Sequence, residues 1–237
     1  MSAAPHPSGH PARDVLALAL DLDDLDEARA LARRLAPYFR VAKVGLELYA
    51  AAGPRAVELL RADGFDVFVD VKLHDIPTTV GRSARVLGRL APAYVTVHTA
   101  GGGAMVRAAV EGLAQGGADA GAARTPMALG VSVLTSDPRA APTVLEERAR
   151  LTVVAGCGGV VCAATDLALV RRVAPGLLAV VPGTRPPGAP HDDQARVATP
   201  AEALAAGAGL LVVGRSVTRA PDPGAAAAAL AETLAPS

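Results

Sequence analysis

Lys43 and Lys72 are the only lysines among the 23 basic residues of this 237-residue chain, the other 21 being arginine. The distinction is chemical. An ammonium is a compact charge that can give up a proton, whereas a guanidinium stays protonated at any working pH. Lys72 follows Asp70 by two positions, and on a strand residues i and i+2 share a face, so the Asp-x-Lys spacing aims both side chains the same way. Alternating ammonium and carboxylate groups keep one another charged, since unit charges about 4 Å apart interact by about 4 kcal/mol at an effective dielectric of about 20. Such an array stabilises a carbanion beside an ammonium and supplies the proton that quenches it. Asp-x-Lys alone reads more simply as an ion pair that stiffens a rim. A second lysine and a further carboxylate, Asp75, from adjacent elements favour chemistry. Asp75 is three residues past Lys72, near enough to join the same site or to lean toward a neighbouring subunit.

These groups need a scaffold that brings separate segments to one point. Short apolar runs recur at Val15–Leu20, Phe39–Val44, Asp66–Asp70, Tyr94–His98, Met127–Val133, Gly159–Cys162, Leu177–Val181 and Leu210–Val213. Between and after them, stretches with helical period predict helices over Asp26–Leu35, Pro54–Ala62, Thr78–Leu90, Ala104–Gln115, Thr143–Ala155, Asp166–Ala174, Pro200–Ala206 and Pro223–Leu234. Near-continuous apolar strands imply a parallel sheet covered on both faces. Eight strand–helix units in this length predict a single α/β domain of (β/α)8 TIM-barrel type over residues 15–237, preceded by a flexible tail over 1–14. The Gly- and Ala-rich Gly116–Thr125 and the Pro/Gly-rich Gly183–Pro190 read as loops.

Barrel active sites lie at the carboxyl ends of the strands. Asp21, Lys43, Asp70, Lys72, His98, Thr135, Ser136, Thr184, Arg185, Arg215 and Ser216 all stand at or just past the ends of apolar runs. The seventh and eighth runs lead into Pro182-Gly183-Thr184-Arg185 and Val213-Gly214-Arg215-Ser216. Glycines let main-chain N–H groups approach an anion and arginine binds one bidentately, so a phosphate site is expected there. Of the five histidines the one pair four residues apart, His6 and His10, lies in the Pro-rich terminal tail, and no metal is expected. Cys157 and Cys162 match neither a redox nor a zinc spacing and read as reduced thiols of a cytoplasmic protein. Basic and acidic residues balance at 23 each, which argues against a nucleic-acid partner. No apolar run approaches the ~20 residues of a membrane span.

The stretch Asp70-Val71-Lys72-Leu73-His74-Asp75-Ile76-Pro77-Thr78-Thr79 closely resembles the signature of the orotidine 5′-phosphate decarboxylase family. Ala19-Leu20-Asp21, Lys43-Val44-Gly45, Val97-His98-Thr99-Ala100-Gly101-Gly102, Leu134-Thr135-Ser136, Pro182-Gly183-Thr184-Arg185, Asp193-Gln194-Ala195-Arg196 and Val213-Gly214-Arg215-Ser216 follow in the family's order. The resemblance implies decarboxylation of orotidine 5′-phosphate to uridine 5′-phosphate, without metal or organic cofactor, in a homodimer of barrels. It implies that Lys72 is the proton donor, that Asp70 sits by the departing carboxylate, and that Lys43 bridges charge and ribose. Asp75, from across the dimer interface, would complete the tetrad. It further implies that Asp21 binds ribose, Thr79 reaches in from the partner and Thr135 meets the pyrimidine edge. Gln194 and Arg185 would close over base and phosphate, with Gly214 and Arg215 holding the phosphate. Thr99 stands where the family often has alanine. A metal-dependent sugar-phosphate lyase of the same superfamily, a Schiff-base lyase and a catalytically silent nucleotide-binding dimer are the alternatives, the first normally carrying an acidic residue where Lys43 stands.

Overall fold

The computed structural model describes residues 10–134, 141–184 and 198–234. Among them the chain runs β1 (Leu16–Leu20), α1 (Leu25–Leu35), β2 (Val41–Val44), α2 (Leu46–Ala52), α3 (Pro54–Ala62), β3 (Asp66–Leu73), α4 (Pro77–Arg89), β4 (Tyr94–His98), α5 (Gly102–Asp119) and β5 (Met127–Val131). It continues through α6 (Pro142–Val154), β6 (Gly159–Val161), α7 (Leu167–Val173), β7 (Leu178–Pro182), α8 (Pro200–Ala205), β8 (Leu210–Val213), α9 (Arg215–Thr218) and α10 (Pro223–Glu232). The strands pair in parallel in chain order, and β1 pairs with β8 to close the barrel. This is the (β/α)8 architecture expected from the alternating pattern.

Two apolar layers explain why the strands are apolar almost throughout. Ala17, Ala19, Val41, Phe68, Leu129, Val180, Leu210 and Val212 fill the barrel interior. Their alternates, such as Leu16, Leu18, Val67 and Val69, pack outward against the helices. Local chemistry sets the helix starts. Asp24 caps α1 by accepting from the Glu27 N–H at 2.9 Å, Asp222 caps α10, and Thr199 with Glu202 forms a reciprocal capping box on α8.

Three expectations need correction. The short helices α2 and α9 were not anticipated, because neither is long enough to show a period. Residues 10–14, expected in a flexible tail, belong to the fold: Pro11–Val15 form a 3-10 helix with Ala12 buried. The His10 N–H donates to the Pro37 carbonyl at 3.0 Å and the Arg13 side chain to the Ala36 carbonyl at 2.9 Å. Finally, Gly116 does not open a loop, since α5 continues to Asp119. Gly112 and Gly116 of α5 are contact residues against α4, as Gly88 of α4 is against α5. A Cβ on Gly116 would lie 2.1 Å from the Arg85 carbonyl oxygen, one on Gly112 2.3 Å from that of Gly81, and one on Gly88 2.6 Å from that of Leu113.

That contact makes a prediction in which two effects oppose. Alanine is better than glycine in a helix by about 1 kcal/mol, but the Gly116→Ala methyl would overlap a main-chain oxygen that cannot rotate away. Overpacking of this kind costs typically about 1–3 kcal/mol. Gly116→Ala should therefore lower stability in urea unfolding, and an increase would contradict the close α4–α5 contact.

Candidate active site

At the carboxyl ends of the strands a cavity of about 240 Å³ opens. Asp21, Lys43, Asp70 and Lys72 line one side, Val131, Val133, Leu134 and Val161 another, and Pro182, Gly183, Gly214 and Arg215 the rim across from the lysines. Cavities of about 330 and 320 Å³ lie elsewhere. The first is at the amino ends of β3–β5, where Arg124 is already paired with Asp66. The second is lined largely by apolar atoms of α8–α10. Convergent charge, rather than size, singles out the mouth of the barrel.

The charges there form a chain. Lys43 Nζ lies 3.3 Å from Asp21 Oδ1 and 3.5 Å from Asp70 Oδ2, and Lys72 Nζ donates to Asp70 Oδ1 at 2.9 Å. Lys43 is buried, with side-chain exposure of 9%. Burial opposes ionisation of Asp70, but the charges of Lys43 and Lys72, with hydrogen bonds from Lys72 and Thr96, outweigh it and hold the carboxyl below its usual range. Gly45 leaves room for the outer pair: a Cβ there would come within 2.9 Å of Asp21 Oδ1 and 3.1 Å of Lys43 Nζ.

Asp70 and Lys72 do meet, although not by simple strand alternation. Val69 of β3 pairs with Val95 of β4, and the next registered pair is Leu73 with Val97. Asp70, Val71 and Lys72 therefore stand opposite the single residue Thr96, in a bulge. Lys72 takes a left-handed backbone, φ +47°, which costs an L-residue about 1–2 kcal/mol. Its N–H donates to Thr96 Oγ1 at 2.9 Å, and Thr96 Oγ1 donates to Asp70 Oδ1 at 3.0 Å. Thr96 was not among the expected site residues, because within Tyr-Val-Thr-Val-His it reads as an ordinary β-branched strand residue.

The other expected residues divide three ways. Gly214 and Arg215 reach the cavity rim. Asp75 and Thr79 are exposed on the chain leaving β3, and Asp75 Oδ1 accepts from the Ile76 N–H at 2.6 Å, so one copy of the chain does not bring Asp75 to the lysines. Thr135, Ser136, Arg185 and Gln194 lie outside the described residues. His98 is not part of the cavity lining: it stacks on His74 with ring centroids 5.2 Å apart and accepts from the Ala100 N–H. Burial, then the nearby His74, Arg148 and Lys72, push its pKa down. Thr99 is buried and donates to the Val131 carbonyl at 2.7 Å, tying β4 to β5. Burial pushes the Cys157 thiol up to about 12, so it is not a nucleophile. Among the described residues no group of three or more His, Cys, Asp or Glu side chains could hold a metal, and no helix is long and apolar enough to cross a membrane.

A closed parallel barrel with lysines and carboxylates interleaved at the carboxyl ends of its strands has the layout of a TIM-barrel enzyme. Residues 14–230 match the model of the orotidine 5′-phosphate decarboxylase / HUMPS family, and the chain belongs to that family. A Thermobifida fusca protein named orotidine 5′-phosphate decarboxylase is 49% identical over 231 residues, covering 92% of this chain and 95% of its own. One from Anaeromyxobacter dehalogenans with the same name is 49% identical over 227 residues, with 91% and 96% covered. The crystal structure of orotidine 5′-phosphate decarboxylase from Lactobacillus acidophilus is similar with a TM-score of 0.78 at 31% identity, covering 92% of this chain and 97% of the other.

The lowered Asp70 pKa has a signed consequence for stability. The unfolded carboxyl titrates near about 3.9. Its stabilising contribution is complete above that value and is lost as pH falls through the lower, folded value. The stability difference between wild type and Asp70→Asn should be largest near neutrality and shrink below about pH 4. Urea unfolding across the acid range measures it, and a difference that grows with acid would contradict the ion-paired carboxylate.

Proposed function

We infer that this chain decarboxylates orotidine 5′-phosphate to uridine 5′-phosphate and carbon dioxide, the closing step of pyrimidine nucleotide synthesis. Membership of the family supports the activity. The observation that carries the mechanism is the Asp70 carboxylate held between two ammoniums at the cavity wall. In the reaction the bond between C6 of the pyrimidine and its carboxylate breaks, carbon dioxide leaves, and the electron pair stays on C6. The Lys72 ammonium stabilises that carbanion and protonates it, then regains a proton from water. Asp70 pairs with the Lys72 ammonium and faces the carboxylate that departs. Lys43 distinguishes this reading from the metal-dependent lyases, which the resemblance associates with an acidic residue there.

The rest of the proposed site binds the parts that do not react. Asp21 and Lys43 take the ribose hydroxyls, Gly214 and Arg215 the phosphate, and Thr135 the pyrimidine edge, while Gln194 and Arg185 cover base and phosphate. Energy from these remote contacts lowers the barrier at C6. Asp75 and Thr79 act on the site of a second copy in a homodimer. Their exposure supports this, as does Ile76 between them in sequence, a large apolar residue 65% exposed.

Lys72→Ala should fold but lose turnover by at least about a hundredfold in an absorbance assay with orotidine 5′-phosphate; full activity would remove Lys72 from its role. Sedimentation should show a dimer, and an active monomer would contradict shared sites. Mixing Lys72→Ala with Asp75→Asn should restore turnover, because each mixed dimer then contains one intact site. No restoration would mean that Asp75 acts within its own chain.

A further inference from the structure

We propose that Thr96 is a positioning residue for this reaction: its hydroxyl holds the Asp70 carboxylate and the Lys72 main chain in the arrangement that presents the Lys72 ammonium to the substrate carbon. The inference rests on the proton-donor role of Lys72 given above.

The geometry is a closed circuit that begins and ends on one residue. The Lys72 N–H donates to Thr96 Oγ1 at 2.9 Å, that hydroxyl donates to Asp70 Oδ1 at 3.0 Å, and Lys72 Nζ returns to the same Oδ1 at 2.9 Å. A hydroxyl has one proton and two lone pairs. Its proton and one lone pair are thus committed to the two residues on which the chemistry depends. Both ends of the lysine, root and tip, are referred to one carboxylate oxygen. For a long side chain with many rotamers, such anchoring removes most of the positions from which it could not deliver a proton.

The bulge shows why a hydroxyl is needed there. Three residues of β3 face Thr96 alone, so the regular ladder supplies no registered partner for this segment. An acceptor must come from a side chain, or a partly buried N–H goes unmet, which is destabilising. Valine would fill the same volume between the buried Val95 and Val97 and suits a strand equally well, so packing does not require the oxygen. Other buried hydroxyls have structural tasks: Thr99 donates to the Val131 carbonyl, Ser132 to that of Val161, and Thr152 to that of Arg148. Thr96 gives its proton to a site carboxylate instead. That bond is also one of the causes holding the Asp70 carboxyl below its usual range.

The test compares Thr96→Val, Thr96→Cys and Thr96→Ser. In Val, kcat should fall by about tenfold to a hundredfold with KM little changed, because the phosphate and ribose contacts lie on other elements. Losing a hydrogen bond that favours the ionised carboxyl should also move the acid limb of the kcat profile to higher pH. Ser, which keeps the hydroxyl, should behave as wild type, and Cys, a poor hydrogen-bonding group, should resemble Val and so serves if Val fails to fold. Wild-type kcat and an unmoved acid limb in folded Val or Cys, or a Ser variant as impaired as Val, would overturn the proposal. An NMR titration of the Asp70 carboxyl separates this from failure of the parent reading. Its pKa should rise in Val or Cys and not in Ser, whether or not Lys72 proves to be the donor; an unchanged pKa would count against Thr96 alone.

Discussion

The Asp70 carboxylate, 15% exposed and held between two ammoniums, is the interaction on which the rest of this structure turns. A charge this far from water is tolerable only if its partners replace the lost hydration. Lys43, Lys72 and the Thr96 hydroxyl do so from three different strands. None of the three is near the others in sequence, and only Lys72 is near Asp70 itself. A fold that could not bring β2, β3 and β4 into fixed adjacency would leave an unpaired buried charge. The closed barrel supplies that adjacency, and its apolar interior sets a floor of Phe68, Leu129, Val180 and Val212 beneath the polar layer.

Backbone irregularity does the fine placement. A regular β3 would also put Asp70 and Lys72 on one face, but it would pair the Lys72 main chain with β4 in the ordinary ladder. The bulge and the left-handed Lys72 release that N–H to Thr96. The strain, about 1–2 kcal/mol, is sustained by the hydrogen bonds around it. Glycine has a related role at Gly45, where any side chain would crowd the Asp21–Lys43 pair. Behind the sheet, the α4–α5 glycines let two helices approach closely against β3 and β4, the two strands that meet at the bulge.

The unequal use of lysine and arginine acquires a spatial meaning. Arginine braces the helical shell: Arg29 and Arg33 hold Asp63, Arg34 holds Asp222, and Arg85 and Arg89 hold Asp119. Its planar fork suits such pairs and its permanent charge does no harm there. Both lysines lie in the cavity wall, where a compact ammonium fits between carboxylates.

Strand order, barrel closure and the residues of the Asp21–Lys43–Asp70–Lys72 chain were legible in the sequence, because buried parallel strands are near-continuous apolar runs and their carboxyl ends declare themselves by abrupt polarity. Composition misled at Gly116, where glycine signalled a loop but serves a helix contact, and at residues 10–14, whose main-chain and side-chain bonds to Pro37 and Ala36 carry no local pattern. Thr96 and the bulge were invisible for the same reason, since a register shift is a relation between two strands and neither strand records it alone. Sequence by itself thus determined the fold and which charged residues stand at the barrel mouth, through residue type and period. Only the tertiary structure decided how Lys72 is aimed and left Asp75 outside its own site, because hydrogen-bond partners and reach are properties of distance in space.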